Sequence, residues 1–160
     1  MRVKCLNMNL LRIFVYLQRR VIEASKDLID EVIEDELEID SSCVNGSKAF
    51  GIADLGCSVG QNTFIAVQNI IEAVERVYKA KNESNSSSSL EFHVFFNDHY
   101  SNDFNSLFRS SSYASRNYYA AGVAGSFYGR LFPKSSLHFV NCSYALHWRS
   151  QVQKEVVFIS

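Results

Sequence analysis

The sequence is poor in the features that define several common classes of protein. Its four cysteines lie far apart, at positions 5, 43, 57 and 142, and they form no C-x-x-C motif and no Cys/His pair with metal-ligand spacing. We therefore predict reduced thiols in an intracellular protein. The formal net charge is only -1, so there is no excess of Lys and Arg that would favour binding to nucleic acid. No apolar run approaches the roughly 20 residues that cross a bilayer, and we expect no membrane partner.

The first 17 residues carry early basic residues ahead of an apolar stretch, as secretory signal peptides do. Arg12 interrupts this stretch, and no small-residue cleavage site follows it. We therefore expect residues 1–17 to be an atypical N-terminal segment and the protein to be cytoplasmic, with secretion as the alternative.

Apolar periodicity predicts helices that alternate with strands in a single α/β domain. Apolar stripes at helical spacing predict one helix from Gln18 to Leu37 and another over residues 62–81, with a short helix near Phe104 to Phe108. Short apolar runs predict buried strands at 49–55, 91–96 and 137–146. Polar, Ser-rich composition predicts loops at 41–48, 81–89 and 110–117. This alternation indicates a parallel sheet, although three strands are few beside the roughly six of a doubly wound sheet.

The segment IADLGCSVGQN (52–62) joins the first predicted strand to the second predicted long helix through a glycine-containing turn. It lacks the G-x-G-x-x-G fingerprint, because Ser58 stands where the middle glycine would be, and Gly60 is followed by Gln and Asn rather than the Lys of a phosphate-binding loop. The pattern Asp-x-Gly-x-x-x-Gly is more similar to the first motif of S-adenosylmethionine-dependent methyltransferases, whose ligand carries no phosphate. Asp98 ends the next predicted strand, where a carboxylate can accept hydrogen bonds from ribose hydroxyls. An ordinary tight turn without a ligand is the alternative.

Longer strings carry a more specific resemblance. They are IADLGCSVGQNT, VFFNDHYSNDFNSLF, GVAGSFYGRLFPKSSLHFVNCSYALHW and SQVQKEV. In this order and at these spacings the chain resembles the plant SABATH methyltransferases from about Gln18 to Val157, and FFNDHYSNDFN is most similar to the farnesoate-type branch. The resemblance implies a partial S-adenosylmethionine-dependent methyltransferase domain over residues 18–160. Its fold would be an incomplete Rossmann-like α/β fold, a parallel sheet with flanking helices that lacks the C-terminal strands and the helical cap.

The resemblance also implies a set of binding residues and no catalytic acid or base. The positions that match the family's cofactor site are Asp54, Gly56, Cys57, Asn62, Asp98, His99, Ser126 and Phe127. The positions that match its substrate pocket are Gln18, Tyr144, Ala145, His147 and Trp148. A side-chain amide and an indole N–H can orient a carboxylate without protonating it. A carboxylate is already a nucleophile at neutral pH, so the site has mainly to align the reactants and exclude water.

The chain departs from the family pattern in its N-terminal segment and in its length. Leu10, Leu11, Phe14 and Val15 stand where the family has hydrogen-bonding residues, Arg149 stands for Leu and Gln153 for Pro. Family members are more than twice as long. The resemblance implies that their additional part contains the helical cap and the residues of a magnesium site. We therefore expect either a methyltransferase of small carboxylic acids, as a possible homodimer, or an inactive remnant that binds the cofactor or a homologous subunit. The acceptor, including oxygen or nitrogen as its methylated atom, stays open.

Overall fold

The computed structural model describes residues 8–37, 49–81, 90–110 and 116–143. The described helices are α1 (Met8–Ala24), α2 (Lys26–Glu36), α3 (Asn62–Lys81) and α4 (Phe104–Phe108). The described strands are β1 (Phe50–Leu55), β2 (Phe92–Asp98), β3 (Tyr119–Ala124) and β4 (Phe139–Asn141). The α/β class expected from the alternation of elements is confirmed.

The strands form one parallel sheet in the order β3-β2-β1-β4. The chain steps outward from β1 to β2 and β3, and then returns to the other side of β1 for β4. Parallel strands place their carboxyl ends at one edge, where Asp54 is in register with Phe96 on one side and Asn141 on the other. The strand order therefore reverses between β1 and β4, and open α/β sheets bind ligands in the crevice outside such a reversal.

The core lies where α3 packs against the sheet. Phe50, Ile52 and Phe96 are fully buried, and the Phe96 ring meets the edge of Phe64 at a centroid distance of 5.3 Å. The inward face of α3 carries buried residues at three- and four-residue spacing through its whole length. The helices α1 and α2 pack on α3, with one isoleucine of each helix buried. This packing brings the start of α3 and the middle of α1 to the carboxyl edge of β1.

The strand β1 contacts the segment before β4 closely at Gly51. The Gly51 N–H donates to Nδ1 of His138 at 2.9 Å, and the His138 N–H donates to the Gly51 carbonyl at 2.8 Å. A Cβ atom on Gly51 would lie 1.9 Å from the carbonyl oxygen of Ser136. Only glycine lets the segment before β4 pass this close to β1.

The single helix predicted from Gln18 to Leu37 is wrong, because the structure divides it into α1 and α2 at Ser25. The Ser25 hydroxyl donates to the carbonyl of Ile22 at 2.9 Å, a bond that competes with regular helix geometry. Ser25 nevertheless keeps helical dihedral angles, and its N–H still bonds to the Val21 carbonyl. The division is therefore a local irregularity between two consecutive helices, and α1 extends across the expected boundary between residues 17 and 18.

The sequence reading missed β3. This strand has the sequence YAAGVA, in which small residues and a glycine stand where buried strands carry large branched residues, and it lies largely exposed at the edge of the sheet. The strand predicted at 137–146 is confirmed at Phe139–Asn141, and its residues 144–146 lie outside the described residues. The loop predicted at 41–48 also lies outside them. The same holds for residues 82–89 of the loop predicted at 81–89 and for residues 111–115 of the loop predicted at 110–117. No helix in the described ranges is both long enough and apolar enough to cross a membrane.

Candidate functional site

The turn after β1 is held against the end of β2 by its own backbone. The N–H groups of Gly56 and Cys57 both donate to the carbonyl of Asn97, at 2.8 and 3.0 Å. Gly56 has a φ of 79° and Ser58 has a φ of 55°. Residues other than glycine seldom adopt such left-handed φ values. The unusual conformation directs the Ser58 N–H at the carboxylate of Asp98, with a nitrogen-to-oxygen distance of 2.7 Å. The turn and the acidic end of β2 thus form one unit.

A cavity of about 330 Å³ opens beside this turn, at the crevice where the strand order reverses. Its walls come from α1, the turn over residues 56–60, the first turns of α3 and the end of β4. Beyond the turn its polar side chains are those of Gln18, Asp54, Asn62, Thr63, Asn141 and Ser143. Asp54 is the only charged side chain among the residues that the structure describes as lining it. The cavity therefore offers hydrogen bonds and a single negative charge.

Asp54 lies at the inner end of this cavity and is only 4% exposed. Its Oδ1 accepts a hydrogen bond from the Asn141 amide at 2.7 Å, and its Oδ2 accepts one from the Thr63 hydroxyl. Burial raises the pKa of Asp54 to about 6, these two hydrogen bonds oppose the rise, and the charge of Asp98 adds to it. Asp54 thus titrates close to neutral pH.

Asp98 and His99 lie at the outer side of the turn. The two carboxylate oxygens of Asp98 accept backbone N–H bonds, one from Ser58 and one from His99, each at 2.7 Å. Each oxygen has a further lone pair, so both can still accept a ligand hydroxyl. The His99 side chain is exposed, and its Nδ1 lies 3.1 Å from the Ser101 hydroxyl. These two residues face the mouth of the crevice and do not line the cavity itself.

Ser126 and Phe127 follow β3 on the same edge of the sheet. The N–H of Gly125 donates to the Asp98 carbonyl at 2.9 Å, so the segment that follows β3 starts beside the end of β2. The buried amide of Asn97 secures it by donating to the carbonyls of Val123 and Gly125. Ser126 is exposed and Phe127 is half-buried, and both lie outside the lining of the cavity. The structure therefore places them along one edge with Asp98, and the strands β2 and β1 separate them from β4.

Of the sequence-predicted substrate residues, only Gln18 is within the described part of the chain. Its Oε1 accepts a hydrogen bond from the Asn62 amide at 3.4 Å, which joins α1 to the start of α3 over the cavity. Gln18 thus shares one cavity with Asp54, Gly56, Cys57 and Asn62. The other four, Tyr144, Ala145, His147 and Trp148, lie outside the described residues.

Thr63 and Asn141 are site residues that the sequence reading missed. Both are hydrogen-bond donors to Asp54, and Asn141 is separated from it by 87 positions in the chain. Asn141 ends its strand with a polar side chain, as Asp98 does and as Asp54 nearly does, and this shared feature was the available signal. Within the described ranges no group of three or more His, Cys, Asp or Glu side chains could hold a metal ion.

Cys57 does not have the environment of a nucleophile. Its side chain is 5% exposed, and burial together with the nearby charges of Asp54 and Asp98 raises its pKa far above the ordinary value. Reactive thiols have lowered pKa values, so Cys57 stays protonated at neutral pH. It lines the cavity as a neutral thiol.

A parallel sheet with a glycine-containing turn after its first strand, and carboxylates at or near the ends of two neighbouring strands, defines a Rossmann-like nucleoside-binding unit. Comparison with known proteins identifies the family to which this unit belongs. Residues 15–158 match the family model described as SAM dependent carboxyl methyltransferase. The chain therefore belongs to this family of S-adenosylmethionine-dependent enzymes, to which the plant SABATH proteins belong, and the expected relationship is confirmed.

Individual relatives agree with this assignment. The chain is 52% identical over 140 residues to loganic acid O-methyltransferase of Catharanthus roseus, a match that covers 87% of this chain and 36% of that protein. It is 50% identical over 139 residues to farnesoic acid carboxyl-O-methyltransferase of Arabidopsis thaliana, covering 87% of this chain and 38% of that protein. A solved structure of loganic acid methyltransferase with SAH superposes with a TM-score of 0.73 at 52% identity, covering 84% of this chain and 37% of that one. The chain thus spans less than two fifths of the length of these relatives.

Proposed function

We propose that this chain forms the cofactor-binding part of a methyltransferase that transfers a methyl group from S-adenosylmethionine to the carboxylate of a small plant acid. The observation that carries the proposal is the cavity at the strand-order reversal, which joins the glycine-containing turn to a single buried carboxylate, Asp54. Relatives at 50% and 52% identity are named for the methylation of farnesoic and loganic acid, which supports a carboxylic acid as acceptor. A relative at 44% identity is named paraxanthine methyltransferase 2, so a purine nitrogen is the competing acceptor.

The residues at the cavity fit S-adenosylmethionine in size and in chemistry. A cavity of about 330 Å³ is within the roughly 300–1,000 Å³ range of small-molecule sites. The cofactor carries positive charge on its ammonium and sulfonium groups and no phosphate, and the only charged side chain among the described lining residues is a carboxylate. A Cβ on Gly60 would meet no atom within 4 Å, so a ligand can approach this backbone closely.

We assign the ends of the cofactor by the family resemblance, with which the chemistry of the residues is consistent. Asp54, Gly56, Cys57 and Asn62 surround its methionine end, Asp98 accepts its ribose hydroxyls beside His99, and Ser126 and Phe127 contact its adenine. An aromatic ring stacks well on a base, and an ionised carboxylate is an acceptor for two hydroxyls. The one-edge arrangement of these residues along β1, β2 and β3 supports the assignment, because an elongated ligand can lie across the three strand ends.

The proposed reaction needs orientation more than acid–base catalysis. A carboxylate oxygen attacks the methyl carbon, and the carbon–sulfur bond breaks to release S-adenosylhomocysteine. Gln18 would hold the acceptor through its amide N–H groups, because its amide oxygen is already directed at Asn62. Tyr144, Ala145, His147 and Trp148 would complete the acceptor pocket. No proton has to move, so none of these residues is assigned as an acid or base.

Calorimetric titration with S-adenosylhomocysteine tests the cofactor site. We expect binding by the chain and a loss of at least about tenfold in affinity in Asp98→Asn, because a charged acceptor for hydroxyl donors is removed. Asp103→Asn is the matched control. Asp103 is five residues further on and caps α4 outside the cavity, and Asn caps a helix equally well. Equal affinities of the two variants, or no binding by the parent chain, would contradict the proposal.

A second candidate is a chain that binds the cofactor and transfers no methyl group. It is favoured by Leu10, Leu11, Phe14 and Val15, which replace hydrogen-bonding residues of the family pattern with apolar ones. Incubation with labelled S-adenosylmethionine and a panel of small acids, including loganic and farnesoic acid, separates the two candidates. Product formation would establish the enzyme, and cofactor binding without product would establish the binding chain.

We further propose a homodimer of cytoplasmic location, with no nucleic acid or membrane partner and no magnesium in cofactor binding. The family resemblance supports the dimer, and the free thiols of Cys57 and Cys142 support a reducing compartment. Light scattering would measure the molar mass in solution, which should be that of two chains. A chelator should leave the affinity for S-adenosylhomocysteine unchanged.

A further inference from the structure

A group of three hydrogen-bonded side chains joins β1, α3 and β4 at the inner end of the cavity. We propose that Thr63 and Asn141 are positioning residues that keep Asp54 ionised and directed into the cavity, where it binds the ammonium group of the cofactor's amino-acid end and makes cofactor binding depend on pH. This inference rests on the proposed function. It assigns the control of the same site to two residues that do not contact the reacting atoms.

The geometry fixes both carboxylate oxygens of Asp54. Asn141 donates to Oδ1 at 2.7 Å from the end of β4, and the Thr63 hydroxyl donates to Oδ2 from the first turn of α3. Thr63 is itself only 6% exposed. Because the two donors belong to different elements, β4 and α3, and each holds one oxygen, the carboxyl group has little freedom to rotate away from the cavity.

The titratable groups around Asp54 do not favour its ionised form, so the hydrogen bonds from Thr63 and Asn141 are what stabilise it. The titratable groups that act on it or respond to it are Asp98 at the end of β2, Cys57 in the turn and Cys142 after β4. Asp98 repels a second negative charge, and both thiols are themselves protonated, since burial and the charge of Asp54 raise their pKa values. In the described part of the chain no cationic side chain lines the cavity. Hydrogen bonds therefore hold the charge until a cationic ligand arrives.

A hydrogen bond to a charged group stabilises that group more than a bond between neutral groups does. Removing the Thr63 hydroxyl should therefore favour the protonated form of Asp54, which cannot attract an ammonium group as strongly. Near neutral pH the change matters most, because burial already raises the pKa of Asp54 to about 6. A purely structural role for Thr63 would lower stability without moving this titration.

The first experiment follows the Asp54 carboxyl carbon by NMR in the ligand-free chain as pH is changed. Thr63→Val keeps the shape of the side chain and removes the hydroxyl, and Thr63→Ser keeps the hydroxyl. We expect the titration midpoint to rise by about one pH unit or more in the valine variant, with the serine variant close to the parent. Asn141→Leu, which removes the other donor, should raise it in the same direction and serves as the second variant if Thr63→Val does not fold.

The second experiment measures ligand binding by calorimetry between pH 5.5 and 8. S-adenosylhomocysteine carries the amino-acid end, and methylthioadenosine lacks it. With a midpoint that rises by about one pH unit from about 6, we expect Thr63→Val to weaken S-adenosylhomocysteine binding by about twofold at pH 7 and by about fivefold at pH 6, so that the acidic limb of its binding profile moves to higher pH. Binding of methylthioadenosine should change less than about twofold, because it has no ammonium group.

The outcomes separate this inference from the proposed function. Identical midpoints and identical binding profiles in the valine and serine variants would overturn the inference, even if S-adenosylhomocysteine binds. Equal weakening of both ligands would also overturn it, because that result indicates a general loss of the site. Absence of binding by the parent chain, with the midpoints ordered as expected, would overturn the proposed function and still support the role of Thr63 and Asn141 in holding the charge of Asp54.

Discussion

Replacement of Asp54 by Asn should stabilise the chain at neutral pH and remove part of its pH dependence. Asp54 is 4% exposed, and its pKa in the folded chain is raised from 3.8 to about 6, chiefly by burial. The folded state therefore binds a proton more tightly than the unfolded state does. Stability from this group is fully present below pH 3.8 and is lost as pH rises through about 6.

The size of the effect follows from the same two values. A difference of about two pH units corresponds to about 3 kcal/mol of unfolding free energy, all of it lost by pH 8. About half of this loss, roughly 1.4 kcal/mol, falls between pH 5 and pH 8, where the chain is easiest to study. Asparagine can keep both hydrogen bonds, since its oxygen accepts from Asn141 and its amide donates to the Thr63 hydroxyl, which can also accept.

Urea unfolding of the parent and of Asp54→Asn at several pH values between 5 and 8 measures this difference. The gap between the two curves should widen in favour of the variant as pH rises. Glu34→Gln removes a carboxyl group from an exposed position on α2 and is the control, whose curve should stay parallel to that of the parent. Parallel curves for Asp54→Asn would refute the reasoning, because they would mean that folding does not change the titration of Asp54.

Two further predictions concern the framework that places the site. Gly51→Ala should destabilise the chain by about 1–3 kcal/mol or more in urea unfolding, because the new Cβ meets the Ser136 carbonyl at 1.9 Å. Gly60→Ala, where no atom lies within 4 Å, should change stability by less than about 1 kcal/mol, and similar losses in both variants would contradict the contact. Asn97→Leu should cost about 2–4 kcal/mol and speed amide hydrogen exchange in β3, because two carbonyls at the end of that strand lose a buried donor. Unchanged exchange there would show that β3 is held by strand pairing alone.

The sequence predicts best the elements whose own residues determine their form. The helix α3 has the predicted bounds, 62–81, because its buried stripe recurs at helical spacing along its whole length. Likewise β1 and β2 are short apolar runs between polar turns, and their pairing is parallel as expected. The expected positions of the glycine-containing turn after β1 and of Asp98 at the end of β2 are also confirmed, since polar residues and glycines bound these short apolar strands.

What the sequence did not predict depends on partners that are distant in the chain. The strand β3 is built mainly of small residues, and it is defined by pairing with β2 and by the amide of Asn97. The break between α1 and α2 at Ser25 is a local exception, because it coincides with a side-chain bond to the Ile22 carbonyl that periodicity does not report. Thr63 and Asn141 become site residues only because the fold brings them to Asp54 from two other elements. Local pattern has no means of pairing two positions 87 residues apart.

The buried carboxylate of Asp54 also bears on which nucleophile meets the methyl donor in the proposed reaction. Cys57 lines the same cavity, and a thiolate there would compete with the acceptor for the methyl group. Burial, Asp54 and Asp98 all raise the pKa of Cys57, and burial with Asp54 does the same for Cys142, so both sulfurs are thiols at neutral pH. The charge that attracts a cationic cofactor therefore also keeps the neighbouring thiols unreactive. The thiols therefore do not compete for the methyl group with an acceptor carboxylate, which is ionised at neutral pH without help.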